Sequence, residues 1–174
     1  IHGCLVGSEM CIRDRSLEWS VSMQDTREEM IDEAVRAVEA FGIEVLCLKA
    51  GEPGGWRQDL GNFAAARDRL GPDILIGIDP NTGWTRHETI QALDGYRAYR
   101  LDYLEQPIER RDLQAMDEIR RAARGVPLMA DEAMTSPADA LDWAKTDAVD
   151  VLCIKPYMLC GLRPAKRFAA VAVT

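Results

Sequence analysis

Short apolar runs alternate with longer amphipathic stretches along the chain from Leu17 onward. This alternation is typical of parallel βα units, in which each buried strand is followed by a helix that covers the sheet. The pattern predicts six strands, over residues 17–23, 44–50, 74–80, 101–107, 126–132 and 149–156. A helix-like stretch follows each of them.

The ends of the predicted helices carry residues that favour helix starts and stops. Capping boxes of the T-x-x-E type begin at Thr26 and at Thr85, where hydroxyl and carboxylate satisfy backbone N–H groups of the first turn. Ser136 before Pro137 predicts another N-cap, with proline at the first helical position. Three glycines are predicted to end helices before the next strand, at positions 42, 71 and 125.

The same alternation fits a doubly wound open sheet or a (β/α)8 barrel. No G-x-G-x-x-G motif follows the first strand, so a dinucleotide-binding sheet is not favoured. One charged residue stands at the carboxyl end of each of the last five predicted strands, namely Lys49, Asp79, Glu105, Asp131 and Lys155. Chemistry is assembled at that end in barrels. We therefore predict an α/β fold, a partial (β/α)8 TIM-type barrel with about six of the eight βα units.

Residues 1–15 show neither helix nor strand periodicity and do not join the pattern that follows. They resemble translated adapter sequence, so we expect residues 1–15 to be a non-native segment and exclude them from the fold. Residues 16–174 are the predicted barrel domain.

Composition excludes several classes of function. With 47% hydrophobic and 29% charged residues, the chain has the composition of a soluble globular domain. A net charge of −8 and the lack of a basic, aromatic-rich cluster argue against nucleic-acid binding. The sequence contains neither a long apolar run nor a signal peptide, so we expect no membrane segment and a cytoplasmic enzyme. The five cysteines lack zinc-site spacing, and we expect reduced, mostly buried thiols.

Three of the five strand-end residues are acids, on adjacent strands. An isolated acid after a strand is more often a helix cap or a loop residue, but Asp79, Glu105 and Asp131 share one phase of the repeat. Clustered carboxylates repel one another unless a cation lies between them. Ligation by oxygen alone suits Mg2+ better than zinc. The sequence therefore predicts a Mg2+ site. Asn81 is expected either to form a hydrogen bond near the metal or to serve the turn in PNTG, and Glu132 to support a ligand or a lysine.

Barrel geometry suggests a role for the two lysines, because the second and sixth of eight strands lie on opposite walls of the barrel. Lys49 and Lys155 would then flank the α-carbon of a small-molecule carboxylate held at the metal. A nearby cation lowers the pKa of a lysine, as a general base near neutral pH requires. The alternatives are an exposed lysine or a simple ion pair, a Schiff-base aldolase with Lys155 as nucleophile, and a truncated barrel without catalytic activity.

The segments LKAG, IDPNTGW, YLEQP, MADEA and CIKPYMLCG resemble strand motifs of the enolase superfamily, in its mandelate racemase and muconate lactonizing branch. The resemblance implies that Asp79, Glu105 and Asp131 are metal ligands. It also implies that Lys49, which matches the second lysine of the family's K-x-K strand, is the catalytic base and that Lys155 matches the sixth-strand lysine of the two-lysine subgroup. Cys47 departs from this pattern, because it replaces the first lysine of K-x-K.

The reaction implied is Mg2+-dependent abstraction of the proton α to a substrate carboxylate, through an enediolate. Its outcomes in the two-lysine subgroup are racemisation or epimerisation, cycloisomerisation and dehydration. The family also has an N-terminal capping domain and two further βα units, which we expect to be missing here. We expect the 174-residue chain alone to be marginally stable and inactive, and the full-length protein to be a homo-oligomer.

Overall fold

The computed structural model of the chain describes residues 17–51 and 54–171. Its strands are β1 (Glu18–Val21), β2 (Val45–Lys49), β3 (Leu75–Asp79), β4 (Tyr103–Glu105), β5 (Leu128–Ala130) and β6 (Val151–Leu152). Its helices are α1 (Arg27–Phe41), α2 (Gly55–Leu70), α3 (Arg86–Ala98), α4 (Leu113–Ala123), α5 (Pro137–Thr146) and α6 (Leu162–Val171). The predicted segment 1–15 lies outside the described residues.

The six strands form one parallel sheet in the order β1-β2-β3-β4-β5-β6. A helix connects every strand to the next, so each pair of neighbours is a βα unit. A doubly wound sheet would reverse its strand order at a switch point, whereas this order is sequential, as in a TIM-type barrel. The predicted α/β fold, a partial TIM-type barrel of six βα units, is confirmed.

The strands are shorter than the apolar runs predicted. The largest difference is at β6, which covers Val151–Leu152 instead of 149–156. Only two positions of β6 are paired with β5, namely Val151 with Met129 and Leu152 with Ala130. Apolar character alone therefore overestimates this strand, since a strand also needs a neighbour along its length.

The apolar core lies between the sheet and the surrounding helices. Leu46 and Leu48 of β2 are buried among side chains of the helices, including Phe63 of α2. Each such buried side chain contributes about 1.5–3 kcal/mol relative to an exposed one. Because side chains alternate along a strand, Cys47 and Lys49 point to the opposite face of β2, which positions the site.

The predicted helix caps are largely confirmed. Thr26 and Thr85 both form complete capping boxes, and Ser136 caps the helix that starts with Pro137. The prediction that Gly125 ends α4 was wrong by one residue, because Arg124 is the C-cap. Arg124 and Gly125 take positive φ angles of 50° and 94°, so the left-handed turn begins one residue before the glycine. Among the described residues, no helix has the length and apolar character needed to cross a bilayer.

Candidate active site

The five charged residues predicted from the strand ends lie at one end of the sheet. Lys49, Asp79 and Glu105 are the last residues of β2, β3 and β4. Asp131 follows β5 directly, and Lys155 comes three residues after β6. The register places Lys49 opposite Asp79. The predicted convergence at the carboxyl ends of the strands is therefore present.

The first ion pair of the site joins β2 and β3. The Lys49 ammonium donates a hydrogen bond to Asp79 Oδ2, and the Asp79 side chain is fully buried. Asn81 adds two donors to the same carboxylate, its backbone N–H to Oδ1 at 2.8 Å and its Nδ2 to Oδ2 at 2.9 Å. Asn81 has a φ of 47°, so the turn that follows Asp79 brings both donors back to it. The predicted place of Asn81 beside the site is confirmed.

The second ion pair joins the ends of β5 and β6. Lys155 donates to Asp131 Oδ2, whereas Asp131 Oδ1 is buried without a hydrogen-bond partner in the described part of the chain. Gln106 holds this segment, because its Oε1 accepts from the backbone N–H groups of Asp131 at 2.9 Å and Ala133 at 3.3 Å. The β5–β6 side therefore leaves one carboxylate oxygen unsatisfied.

Glu105 lies between the two ion pairs and accepts a hydrogen bond from the Cys47 thiol, with Sγ and Oε2 3.5 Å apart. Burial, followed by repulsion from Asp79 and Asp131, raises the pKa of Glu105 to about 8, although Lys49 opposes the shift. Burial and the charge of Glu105 also raise the pKa of the Cys47 thiol. The centre of the site is therefore short of positive charge.

The three predicted metal ligands are not equally arranged for one ion. Ligand atoms of Glu105, Asp131 and Cys153 lie within 4.8 Å of one another, as do those of Glu105, Glu18 and Cys47. Asp79 belongs to neither group. Its carboxylate is turned to Lys49 and Asn81 instead.

The pKa values of the two lysines follow from their ion pairs. Burial lowers the pKa of Lys49, but the hydrogen bond and charge of Asp79 outweigh burial and raise it above the ordinary value. The same balance with Asp131 raises the pKa of Lys155. The expected lowering concerns a site that holds a cation beside the lysines, and it stays a prediction.

A cavity of about 490 Å3 lies beside Lys49. It is bounded by the segment after β1 and by α2, through residues that include Met23, Thr26, Gln58 and Asn62. The cavity is large enough for a small molecule, and its polar lining and its contact with Lys49 suit a polar one.

Two residues that the sequence analysis did not assign to the site are Gln106 and Cys153. Gln106 is fully buried and carries the hydrogen bonds that fix the segment after β5. Cys153 is half-buried, and its sulfur lies near Glu105 and Asp131. A signal for Cys153 exists, because it precedes Lys155 by two residues just as Cys47 precedes Lys49, and such positions share a strand face.

The fold and this site define a class of protein, the barrel-type α/β enzyme domain with lysines and carboxylates at the carboxyl ends of its strands. Residues 29–174 match the profile of the family described as enolase C-terminal domain-like, and the chain belongs to that family. The resemblance to the enolase superfamily seen in the sequence is thereby confirmed.

Curated relatives of this chain include isomerases with different substrates. It is 34% identical to a chloromuconate cycloisomerase of Cupriavidus pinatubonensis over 99% of this chain and 45% of that protein. It is 33% identical to a hydrophobic dipeptide epimerase of Enterococcus faecalis over 76% of this chain and 36% of that protein.

Among solved structures, the dipeptide epimerase of Cytophaga hutchinsonii complexed with Mg and the dipeptide D-Ala-L-Val superimposes with a TM-score of 0.83. The sequence identity is 26%, over 92% of this chain and 43% of that structure. The chain thus spans less than half the length of each of these three proteins.

Proposed function

We propose that the protein containing this chain removes the proton α to the carboxylate of a small-molecule substrate. The observation that carries the proposal is the pair of lysines flanking three carboxylates at the carboxyl ends of β2 to β6. Lysine amines are suitable proton acceptors, and an enediolate next to clustered carboxylates requires a cation. The cycloisomerase and epimerase relatives support racemisation, epimerisation or cycloisomerisation as outcomes, and dehydration remains a further one.

We infer that Asp79, Glu105 and Asp131 hold a Mg2+ ion. The residues fit such an ion, since Asp131 Oδ1 has no hydrogen-bond partner in the part of the chain that the structure describes, and burial together with Asp79 and Asp131 disfavours the anionic form of Glu105. Carboxylate oxygens are the ligands that Mg2+ prefers, and the Cytophaga hutchinsonii epimerase was solved with Mg. When bound, Mg2+ supplies positive charge that stabilises the enediolate and weakens the hold of the aspartates on the lysines.

The lysines act from the two sides of the carboxylates, because β3, β4 and β5 separate β2 from the end of β6. One Nζ atom accepts the α-proton, and the other returns a proton on the opposite face when the product is an epimer. Asp79 and Asp131 orient the two amines by their hydrogen bonds. Cys47 is a neutral thiol where the family carries another lysine, so the substrate carboxylate is bound with one positive charge fewer on this side.

The test uses the protein expressed with the coding sequence that flanks this chain in its source DNA. The protein is incubated with Mg2+ in D2O and a panel of N-acylamino acids, dipeptides and muconolactones, and NMR follows exchange of the α-proton. We expect exchange with at least one class, lost in Glu105→Gln and retained in the matched control Glu39→Gln on the exposed face of α1. A folded wild-type protein that binds Mg2+ but exchanges no α-proton from any class contradicts the proposal.

A further inference from the structure

The β4–β6 side of the site carries a sulfur ligand beside its acids. Ligand atoms of Glu105, Asp131 and Cys153 lie within 4.8 Å of one another. The backbone fixes this arrangement, because Ala130 pairs with Leu152 and the Cys153 N–H donates to the Ala130 carbonyl at 2.8 Å. Cys153 therefore lies next to Asp131 as a direct extension of the strand register.

We propose that Glu105, Asp131 and Cys153 form a binding site for a thiophilic divalent cation of the Zn2+ or Cd2+ type. Thiolate ligands select such ions over Mg2+, which prefers oxygen alone. Tetrahedral zinc, with bonds of about 2.3 Å to sulfur and about 2.0–2.2 Å to oxygen, places ligand atoms roughly 3.5 Å apart. The three side chains would therefore move closer than their present separation of up to 4.8 Å. The Cys153 thiol releases its proton to solvent when its sulfur binds the ion.

The neighbouring group of Glu18, Cys47 and Glu105 is less suited to this role. Glu18 is exposed, and its carboxylate accepts a hydrogen bond from the Tyr103 hydroxyl. Each thiol already meets an acid of its own group, Cys47 at Glu105 and Cys153 at Asp131, so the exposed Glu18 is what separates the two groups.

The group with Cys153 offers instead the unpartnered Oδ1 of Asp131, whose side chain is only 2% exposed. A buried carboxylate oxygen without a partner is costly unless a donor or a cation satisfies it. The proposed site for the thiophilic cation is therefore the group of Glu105, Asp131 and Cys153 rather than the group of Glu18, Cys47 and Glu105.

The proposal does not depend on the proposed proton transfer, because it concerns ion binding in the absence of substrate. It has a consequence for that reaction, however, since Glu105 and Asp131 would serve both ions. A thiophilic cation bound through Cys153 excludes Mg2+ from the same carboxylates and inhibits the enzyme.

The test is a Cd2+ titration without substrate, followed by thiolate-to-cadmium charge-transfer absorbance. Every sample carries Cys4→Ser and Cys11→Ser. We expect a saturable band that Cys153→Ser loses, while Cys47→Ser and Cys160→Ser, which change a buried and an exposed thiol, retain it. Glu105→Gln should weaken Cd2+ binding at least about tenfold. Excess Mg2+ should give no band but raise the apparent Kd for Cd2+.

A second measurement needs no variant at Cys153. Alkylation of the protein is followed peptide by peptide in mass spectrometry, with and without Cd2+. We expect Cd2+ to protect Cys153 and to leave Cys160 reactive. Absence of the band, its persistence in a folded Cys153→Ser protein, or unchanged alkylation of Cys153 would each overturn the proposal. Loss of α-proton exchange alone has no bearing on it.

Discussion

The two lysine–aspartate ion pairs of the site have the same chemical groups, but the strands that carry them pair over different lengths. On one side, β2 and β3 pair over five positions, and Lys49 opposite Asp79 is the last of them. On the other side, β5 and β6 pair over only two positions, and Lys155 lies three residues beyond the end of β6. Lys49 is thus placed by sheet register, whereas Lys155 lies in the irregular segment between a short strand and the turn over residues 156–160.

The carboxylates differ in the same way. Asp79 is satisfied by the chain itself, through Lys49 and two donors of Asn81. Within residues 17–51 and 54–171, Asp131 has Lys155 as its one cationic partner and keeps one oxygen without a hydrogen bond. Together with Glu105, this side is short of positive charge. An added cation would therefore neutralise negative charge mainly at Glu105 and Asp131. Asp79 could bind it only after losing hydrogen bonds to Lys49 or Asn81.

The largest effect is expected at Glu105, the carboxylate that lies between the two pairs. Glu105→Gln should reduce Mg2+-dependent α-proton exchange by at least about a thousandfold, because a metal ion contributes several kcal/mol to stabilising the developing charge. The measurement is the NMR exchange rate at saturating substrate, with Glu39→Gln as control. A Glu105→Gln protein with near-normal exchange would show that the central carboxylate is not needed.

The next effect separates the two lysines. Lys49→Ala and Lys155→Ala should each slow exchange about a hundredfold, as expected for the loss of a general acid or base. Because the lysines act from opposite sides, each variant should lose exchange mainly with one enantiomer of the substrate. Lys145→Ala, at an exposed position of α5, is the control. Equal losses for both enantiomers in both variants would contradict the assignment of one lysine to each face.

A smaller effect concerns the support of Asp79. Asn81→Ala removes the side-chain donor to Asp79 Oδ2, and we expect about a tenfold change in Mg2+ affinity, the scale seen for residues that orient metal ligands. Isothermal titration calorimetry measures this change. The control is Gln91→Ala, at an exposed position of α3. Unchanged Mg2+ affinity in Asn81→Ala would show that Asp79 needs no such support.

A separate effect, on stability rather than on exchange, is a pH dependence of the free energy of unfolding in the presence of a chelator. The pKa of Glu105 is raised to about 8 in the folded protein, above its ordinary value of 4.5. The folded state therefore holds this proton more tightly than the unfolded state, and stability falls as pH rises between these two values. One unit of pKa shift corresponds to about 1.4 kcal/mol, so we expect Glu105→Gln to gain up to about 5 kcal/mol relative to wild type across this interval, measured by urea unfolding. A constant difference between the two proteins from pH 5 to pH 8 would contradict the raised pKa.

Most of the fold was predictable from the sequence because buried parallel strands and amphipathic helices have different apolar periods. The five charged residues were predictable for the same reason, since they recur in one phase of that repeat. The true length of β6 was not, because strand pairing depends on a neighbour that the apolar run does not reveal.

The ion pairs and the sulfur ligand depend on side-chain contacts between distant segments. The sequence indicated that Lys49 and Asp79 lie at one end of the sheet, but not that they bind each other and raise the pKa of the lysine. Cys153 escaped notice because an apolar strand can contain a buried cysteine without any function. The two-residue spacing of Cys153 from Lys155 indicates a ligand only when Glu105 and Asp131 are known to lie beside the cysteine.

The most direct test of the central claim is the Mg2+ dependence of α-proton exchange in D2O. The account predicts deuterium at the α-carbon of a carboxylate substrate when Mg2+ is present, loss of exchange with EDTA, and recovery when Mg2+ is restored. A folded protein whose exchange is unaffected by EDTA would contradict it. So would a substrate adduct on Lys155 trapped by borohydride, which would indicate Schiff-base chemistry instead.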